Sequence, residues 1–241
     1  MLDRIGLPGL SHLLIFGVLL PIGAWRSRVR LEAHPLPPKT PYFASVVIQQ
    51  LVFGLVSMLV ARALDIELFP RYRPTVGHGA LALVLVIALV TVMRPEWRRK
   101  VEARDRRVYL VTPLDATDRV LWVAICVSAG VLEEVTYRGV LFWVGSQLTG
   151  SIIVGALISA VAFGVGHAVQ GWKAAGLVTL LGLGFQSIVI ATGTLYVAMT
   201  VHIAYDLIAG WTYAKLAREL GYPTEPIPPE GTASAPEGAT Q

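Results

Sequence analysis

Charge and cysteine are both scarce in this sequence. Charged residues make up 15% of the 241 residues and hydrophobic residues make up 54%, whereas a soluble domain carries about 25% charged residues. This balance excludes an ordinary soluble globule and predicts that most of the chain lies in lipid. The single cysteine, Cys126, excludes an internal disulfide and a multi-thiol metal site. Its apolar neighbours predict a small buried side chain.

The basic residues of this chain, whose net charge is +4, are gathered in loops. Basic residues are not interleaved with aromatic residues on a polar surface, so we expect no nucleic-acid partner. Basic loops beside apolar runs are typical of topology signals and of contact with anionic lipid headgroups. The composition therefore indicates a lipid bilayer as the partner of the whole chain.

Apolar runs of about 20 residues, the length that crosses a bilayer, recur along the chain. Within lipid each backbone N–H and C=O must be satisfied inside its own segment, so these runs predict helices. The predicted fold is all-α, a polytopic membrane bundle of about seven transmembrane helices. The predicted spans are roughly 7–25, 42–64, 78–93, 119–143, 151–169, 173–191 and 194–213. In the sixth span, three glycines are predicted to allow close helix packing: Gly176, Gly182 and Gly184.

The loops predict an orientation for these spans. The stretches "RSRVRLEAHPLPPK" and "RPEWRRKVEARDRR" are strongly basic, whereas Arg71 and Arg73 share their loop with acidic residues. Basic loops stay in the cytoplasm, so we expect a multi-pass protein of a bacterial cytoplasmic membrane with a cytoplasmic C-terminus. The predicted divisions are N-terminal spans and basic loops (1–117), a core (118–214), and a helix end with a disordered Pro/Gly/Ala-rich tail (215–241) that starts near Tyr222.

Ionisable side chains in the later spans are confined to three short stretches. These are "EEVTYRG", "FGVGH" and "HIAYD". An acidic side chain at the centre of a span costs about 2.5–3.5 kcal/mol on insertion scales. Because that cost must be offset, we expect the three stretches to face one another rather than lipid.

The spacing within the first stretch predicts different roles for its two glutamates. Glu134 and Arg138 are four residues apart and can pair on one helix face. Glu133 points about 100° away from Glu134 and is the freer carboxylate, with Tyr137 one turn away.

The other two stretches repeat the same spacing. Phe163 lies one turn before His167, and His202 lies one turn before Asp206. Three helices can therefore bring two glutamates, two imidazoles and an aspartate to one buried polar site.

This set of glutamates, histidines and an aspartate is suited to hydrolysis of a carbonyl compound by activated water. A desolvated glutamate can take a proton from water, and a histidine can stabilise the oxyanion of a tetrahedral intermediate. The same set could hold a divalent metal such as zinc, with candidate ligands among Glu133, His167, His202 and Asp206. The soluble zinc-protease signature H-E-x-x-H is absent.

The three stretches together resemble the signature of the CPBP family, the type 2 CAAX prenyl proteases and bacteriocin-processing (ABI) proteins. The family pattern is Glu-Glu-x-x-x-Arg, then Phe-x-x-x-His, then His followed four residues later by Asn or a similar polar residue. The resemblance covers about residues 118–213. It implies an intramembrane endopeptidase acting on a membrane-associated protein or peptide, either metal-dependent or of the glutamate type.

Carried onto this chain, the resemblance implies that Glu133 and His167 activate water. It places the oxyanion site at His202 and Asp206, with Glu134 and Arg138 holding the geometry. Asp206 departs from the Asn of the eukaryotic prenyl proteases, and an ionised aspartate cannot donate to an oxyanion. Asp206 must therefore be protonated in its apolar site, orient His202 from behind or bind a metal, and we favour orientation of His202.

Two readings from other classes remain open on the sequence alone. The carboxylates and histidines could form the relay of a proton-coupled transporter, although the seven spans show no repeated half. The chain could also be a catalytically silent immunity or scaffold protein of the membrane.

Overall fold

A computed structural model of the protein describes residues 2–70, 75–226 and 228. Over these residues the regular structure is helical, so the all-α prediction is confirmed. Two 3₁₀ turns, Arg106–Val111 and Ala168–Gln170, join some of the long helices. The long helices are α1 (Arg4–Ala33), α2 (Lys39–Ala63), α3 (Val76–Glu102), α4 (Ala116–Thr149), α5 (Ile152–Gly166), α6 (Trp172–Thr192) and α7 (Tyr196–Glu219).

Helices occupy all seven predicted segments, but the count of seven spans is not confirmed. Among the described residues, five helices are long and apolar enough to cross a bilayer: α1, α2, α3, α4 and α6. The apolar helix α5 has 15 residues, fewer than the roughly 20 that span the hydrocarbon core upright.

The helix α3 is longer than the predicted span 78–93 because it continues into the basic stretch. Ion pairs one turn apart support that extension. Arg98 Nε lies 2.7 Å from Glu102 Oε1, and Arg99 Nη2 lies 2.6 Å from Glu96 Oε2. The part of α3 that extends beyond the apolar run therefore remains helical, and several of its residues face the cavity of the bundle.

The backbone of α4 changes type at the "EEVTYRG" stretch. Between two α-helical parts, residues Ala129–Leu141 are π-helical. A second, shorter π-helical segment, Ile15–Leu19, interrupts α1. π-helical turns are rare and frequently occur at functional sites. The π-helical segment Ala129–Leu141 therefore coincides with the charged residues Glu133, Glu134 and Arg138.

Small residues allow the core helices to approach closely. A Cβ on Gly130 would lie 2.9 Å from the backbone nitrogen of Ile203, so α4 and α7 touch at backbone distance there. In α6, Gly182 packs on Ala160 of α5 as predicted, whereas Gly176 and Gly184 have open space around their Cα atoms. The prediction of close packing is therefore wrong for those two glycines.

The helix ends that carry the basic loops lie together. Arg106 Nη2 donates to the carbonyl of His34 at 2.8 Å, and the guanidinium of Arg28 lies over the Trp172 ring. This places the C-terminal end of α1 beside the 3₁₀ turn before α4 and beside the start of α6. The orientation of the bundle in a membrane stays a prediction.

The start of the C-terminal tail is ordered, contrary to the predicted disorder from Tyr222. Tyr222 is buried against Val108 and Tyr213, and its hydroxyl donates to the carbonyl of Asp105 at 2.9 Å. The rest of the predicted disordered segment, from residue 229, lies outside the described residues, as do Arg71 and Arg73. The division into three regions stays a prediction.

Candidate active site

A cavity of about 1070 Å³ opens between the helices, and the predicted site residues line it. Glu133 of α4, His167 after α5, and His202 and Asp206 of α7 all contribute to its wall. Most of the remaining wall is apolar, with side chains such as Phe53. The three stretches therefore face one another, as the cost of isolated charges in lipid predicts.

The second glutamate is completely enclosed and has two partners. Glu134 has 0% of its surface exposed. Its Oε1 lies 3.4 Å from Nη1 of Arg138, one turn along α4. The same oxygen lies 2.8 Å from Nδ1 of His202. Because the acceptor is a carboxylate, we assign the proton of this hydrogen bond to Nδ1. Glu134 thus ties α4 to α7 and fixes the ring of His202.

The phenylalanine of the second stretch has two structural roles. Its ring lies under the guanidinium of Arg138, with the Cζ atom 4.0 Å from the ring centroid. Its carbonyl oxygen lies 2.8 Å from Nδ1 of His167, one turn later. Phe163 therefore gives a buried cation an aromatic face and sets the tautomer of the histidine. In neutral His167 the lone pair is then on Nε2.

The first glutamate is held more loosely than the second. The side chain of Glu133 is 21% exposed, and its Oε1 accepts from Nε2 of Gln50 at 3.4 Å. The amide oxygen of Gln50 in turn accepts a short hydrogen bond from Ser128. Within the described part of the chain, Glu133 Oε2 is buried and has no hydrogen-bond donor. Gln50 was not predicted as a site residue, because the spacing of residues within α2 does not show which residue of α4 it contacts.

Glu133 and His167 share a second, smaller cavity of about 120 Å³. A volume of this size holds several water molecules beside polar groups. The shared wall also includes Tyr137, whose ring packs edge-on against Phe163. The cavity therefore has room for water beside the carboxylate of Glu133 and the imidazole of His167.

The third stretch places an imidazole among three carboxylates. His202 Nε2 lies 3.5 Å from Asp206 Oδ2 and 3.8 Å from Glu133 Oε2. Asp206 is 28% exposed and more open to the cavity than Glu134. These distances agree with Asp206 orienting His202.

A buried polar chain runs from α1 to the π-helical segment and was not predicted. His12 Nε2 lies 3.0 Å from the Ser57 hydroxyl, which lies 2.8 Å from the hydroxyl of Thr136. His12 has 0% of its surface exposed. The chain joins α1, α2 and α4 behind the small cavity.

The donor set does not form a compact metal centre. The residues that the structure describes contain no group of three His, Cys, Asp or Glu side chains placed to hold one metal ion. The metal candidates Glu133, His167, His202 and Asp206 line the same cavity without such a cluster.

The central and C-terminal helices match a known family. Residues 115–208 match the model described as type II CAAX prenyl endopeptidase Rce1-like. Neither a curated protein nor a solved structure matches the chain. The matched segment contains all three charged stretches, and it confirms the resemblance drawn from their spacing. Residues 115–208 of the chain are thus similar to the type II CAAX prenyl endopeptidase Rce1-like family, which supports the resemblance to the CAAX prenyl proteases.

Proposed function

We propose that this protein is an intramembrane endopeptidase that hydrolyses a peptide bond in a membrane-associated protein or peptide. The observation that carries the proposal is the single cavity lined by Glu133, His167, His202 and Asp206. Its apolar wall can hold a hydrophobic segment of substrate, and its polar residues can act on a peptide bond. The basic helix ends favour a location in a bacterial cytoplasmic membrane with these ends in the cytoplasm.

Water activation falls to Glu133 and His167. Gln50 occupies Glu133 Oε1, whereas Oε2 has no donor among the described residues and can accept a proton from water. The lone pair on Nε2 of neutral His167 can accept the other hydrogen of that water and orient it. The water oxygen then attacks the carbonyl carbon, and its proton passes to Glu133.

Oxyanion stabilisation falls to His202. Glu134 fixes its Nδ1 side at 2.8 Å, so Nε2 is directed toward the cavity side, where Asp206 and Glu133 lie. Because Nδ1 carries the proton of the bond to Glu134, His202 donates from Nε2 to the oxyanion as the doubly protonated imidazolium, whose charge faces the carboxylates of Glu134 and Asp206. One such donor is worth about 10²–10³ in kcat. The C–N bond breaks when Glu133 returns its proton to the leaving amine, which restores the carboxylate.

Cleavage in cells provides the first test. Protein termini should be compared by proteomics among host strains expressing the wild type, Glu133→Gln or His167→Ala. Matched controls are Glu219→Gln and His34→Ala, two exposed residues outside the cavity. We expect a set of new termini in the wild type and both controls that both site variants lose. Identical termini in all five strains would refute the proposal, and pH-dependent ion flux without cleavage would favour a transporter.

A further inference from the structure

A tyrosine between the charged residues of α4 carries a hydroxyl group that the proposed mechanism does not use. Tyr137 is only 6% exposed, and it lines the small cavity together with Glu133 and His167. Its backbone carbonyl accepts from the Ser159 hydroxyl at 2.7 Å, whereas its own hydroxyl forms no hydrogen bond with any residue that the structure describes. A buried tyrosine hydroxyl usually has a partner, so this one indicates a molecule that binds inside the small cavity.

The ring of Tyr137 is held between two other aromatic rings. It packs edge-on against Phe163 of α5 at a centroid distance of 5.0 Å and against Phe16 of α1 at 6.4 Å. Edge-to-face pairs at these distances are favourable and restrict the orientation of the ring. The hydrogen bond from Ser159 fixes the backbone of the same residue. The hydroxyl oxygen is therefore held at one place on the cavity wall.

That place is beside the end of α5. A Cβ on Gly166 would lie 3.5 Å from the Tyr137 hydroxyl oxygen, and Gly166 directly precedes His167. The ring of Phe163 contacts the rings of both Tyr137 and His167, the latter at a centroid distance of 4.6 Å. Glu133 lies four residues before Tyr137, about one turn along α4. Hydroxyl, imidazole and carboxylate therefore border the same small space.

The polar groups around this space match the bonding capacity of one water molecule. Within the described part of the chain, Glu133 Oε2 and His167 Nε2 are acceptors that no donor occupies, so they can accept both hydrogens of water. The Tyr137 hydroxyl can donate to one of the two lone pairs. Buried waters make about three such bonds to groups that otherwise lack partners. The second lone pair of the water is then free to attack a carbonyl carbon.

We propose that the Tyr137 hydroxyl donates a hydrogen bond to the nucleophilic water and directs its free lone pair toward the substrate carbonyl. This inference rests on the proposed function, in which Glu133 and His167 accept the two hydrogens of that water. Tyr137 is then a catalytic residue, because it touches the reacting water. It keeps its own proton throughout the step, and no covalent bond to its oxygen forms or breaks.

Tyr137→Phe removes only the hydroxyl and tests the inference. The purified full chain should be assayed in nanodiscs on a peptide that the wild type cleaves. We expect kcat to fall about tenfold, the effect of losing one neutral hydrogen bond to the reacting water. KM should stay nearly unchanged, because the hydroxyl does not touch the substrate. Tm should also stay unchanged, because the hydroxyl has no partner among the described residues.

Tyr222→Phe is the matched control. Its hydroxyl donates to the carbonyl of Asp105 at 2.9 Å, and Tyr222 lies outside both cavities. We expect the opposite pattern in this variant, a lower Tm with kcat retained. Incorporation of 4-aminophenylalanine at position 137 puts a donor back at the same place and should recover part of the lost rate.

A double-mutant cycle shows whether Tyr137 and His167 act on the same water. The rates of Tyr137→Phe, His167→Ala and the double variant are compared with that of the wild type. Because side chains that bind one water are coupled, loss of the hydroxyl should lower kcat by less than about threefold once His167 is replaced. The full tenfold loss in that background would show that the hydroxyl acts elsewhere, and it would overturn the inference.

Two further results would overturn the inference while leaving the proposed function intact. The first is a kcat of Tyr137→Phe within about twofold of the wild type while Glu133→Gln is inactive. The second is a Tm of Tyr137→Phe as low as that of Tyr222→Phe, because the hydroxyl would then have a partner within the protein. Absence of any wild-type cleavage above that of Glu133→Gln would instead refute the proposed function.

Discussion

Gly130→Ala should separate the two helices that hold Glu133 and His202, two of the proposed catalytic residues. A Cβ at this position would lie 2.9 Å from the backbone nitrogen of Ile203, and it would also meet that residue's side chain. Backbone cannot yield as a side-chain end can, so α7 must move away from α4. Ile203 directly follows His202, whose hydrogen bond to Glu134 is 2.8 Å long. The added methyl group therefore acts on the catalytic geometry itself.

The expected magnitude follows from packing and from positioning. Overpacking of this kind costs about 1–3 kcal/mol, offset by up to about 1 kcal/mol because alanine favours a helix over glycine. With the full offset, a net loss of up to about 2 kcal/mol remains, which lowers Tm by up to about 8 °C in a chain of this size. Displacement of His202 by about 1 Å should lower kcat by about 10²-fold.

Thermal unfolding in detergent and peptide cleavage in nanodiscs measure the two effects of Gly130→Ala. The matched control is Gly176→Ala in α6, where no atom lies within 4 Å of an added Cβ. That control should gain up to about 1 kcal/mol and keep its activity. Equal Tm shifts in both variants, with activity retained in Gly130→Ala, would refute the close approach of α4 and α7.

Three further substitutions test the polar framework. Glu134→Gln removes the carboxylate beside buried Arg138, and leaving that charge unpaired should cost about 3–5 kcal/mol in thermal or denaturant unfolding; a change as small as that of Glu219→Gln would contradict the burial. Ser57→Ala breaks the buried chain behind the small cavity and should cost about 1–3 kcal/mol by the same measurement, whereas no loss would show that the chain is not formed. The pKa of Asp105 is lowered in the folded protein, since the hydrogen bonds from Arg107 outweigh burial; its stabilisation is present above the usual value of 3.8 and is lost as the pH falls through the folded pKa. The fall of Tm with acid should therefore be shallower in Asp105→Asn, and an unchanged slope would contradict the assignment.

Contacts along one helix could be predicted from the sequence, because helical spacing is local. The pair of Glu134 and Arg138 follows from positions one turn apart. The approach of His202 to Asp206 and the relation of Phe163 to His167 follow in the same way. The cost of charge in lipid also predicted that the three stretches would meet.

Contacts between helices could not be predicted in the same way. The hydrogen bonds from Gln50 to Glu133 and from His202 to Glu134 depend on the rotation and depth of each helix, which no spacing within one helix specifies. The π-helical segment Ala129–Leu141 was not predicted either, because the spacing of the charged residues was interpreted with α-helical geometry.

The sequence also could not distinguish glycines that pack from glycines that do not. Gly130 and Gly182 contact neighbouring helices, whereas Gly176 faces open space. All three lie in apolar helices. The difference depends on which face of each helix meets its neighbour, and that is a property of the assembled bundle.

The most direct test of the central claim is the cleavage rate of Glu133→Gln. The purified variant should be compared in nanodiscs with the wild type and with Glu219→Gln, on a peptide that the wild type cleaves. Glutamine keeps the volume and the contact with Gln50 but cannot accept a proton from water, so kcat should fall by about 10²–10⁴-fold with KM nearly unchanged. A kcat within about threefold of both controls would contradict the account.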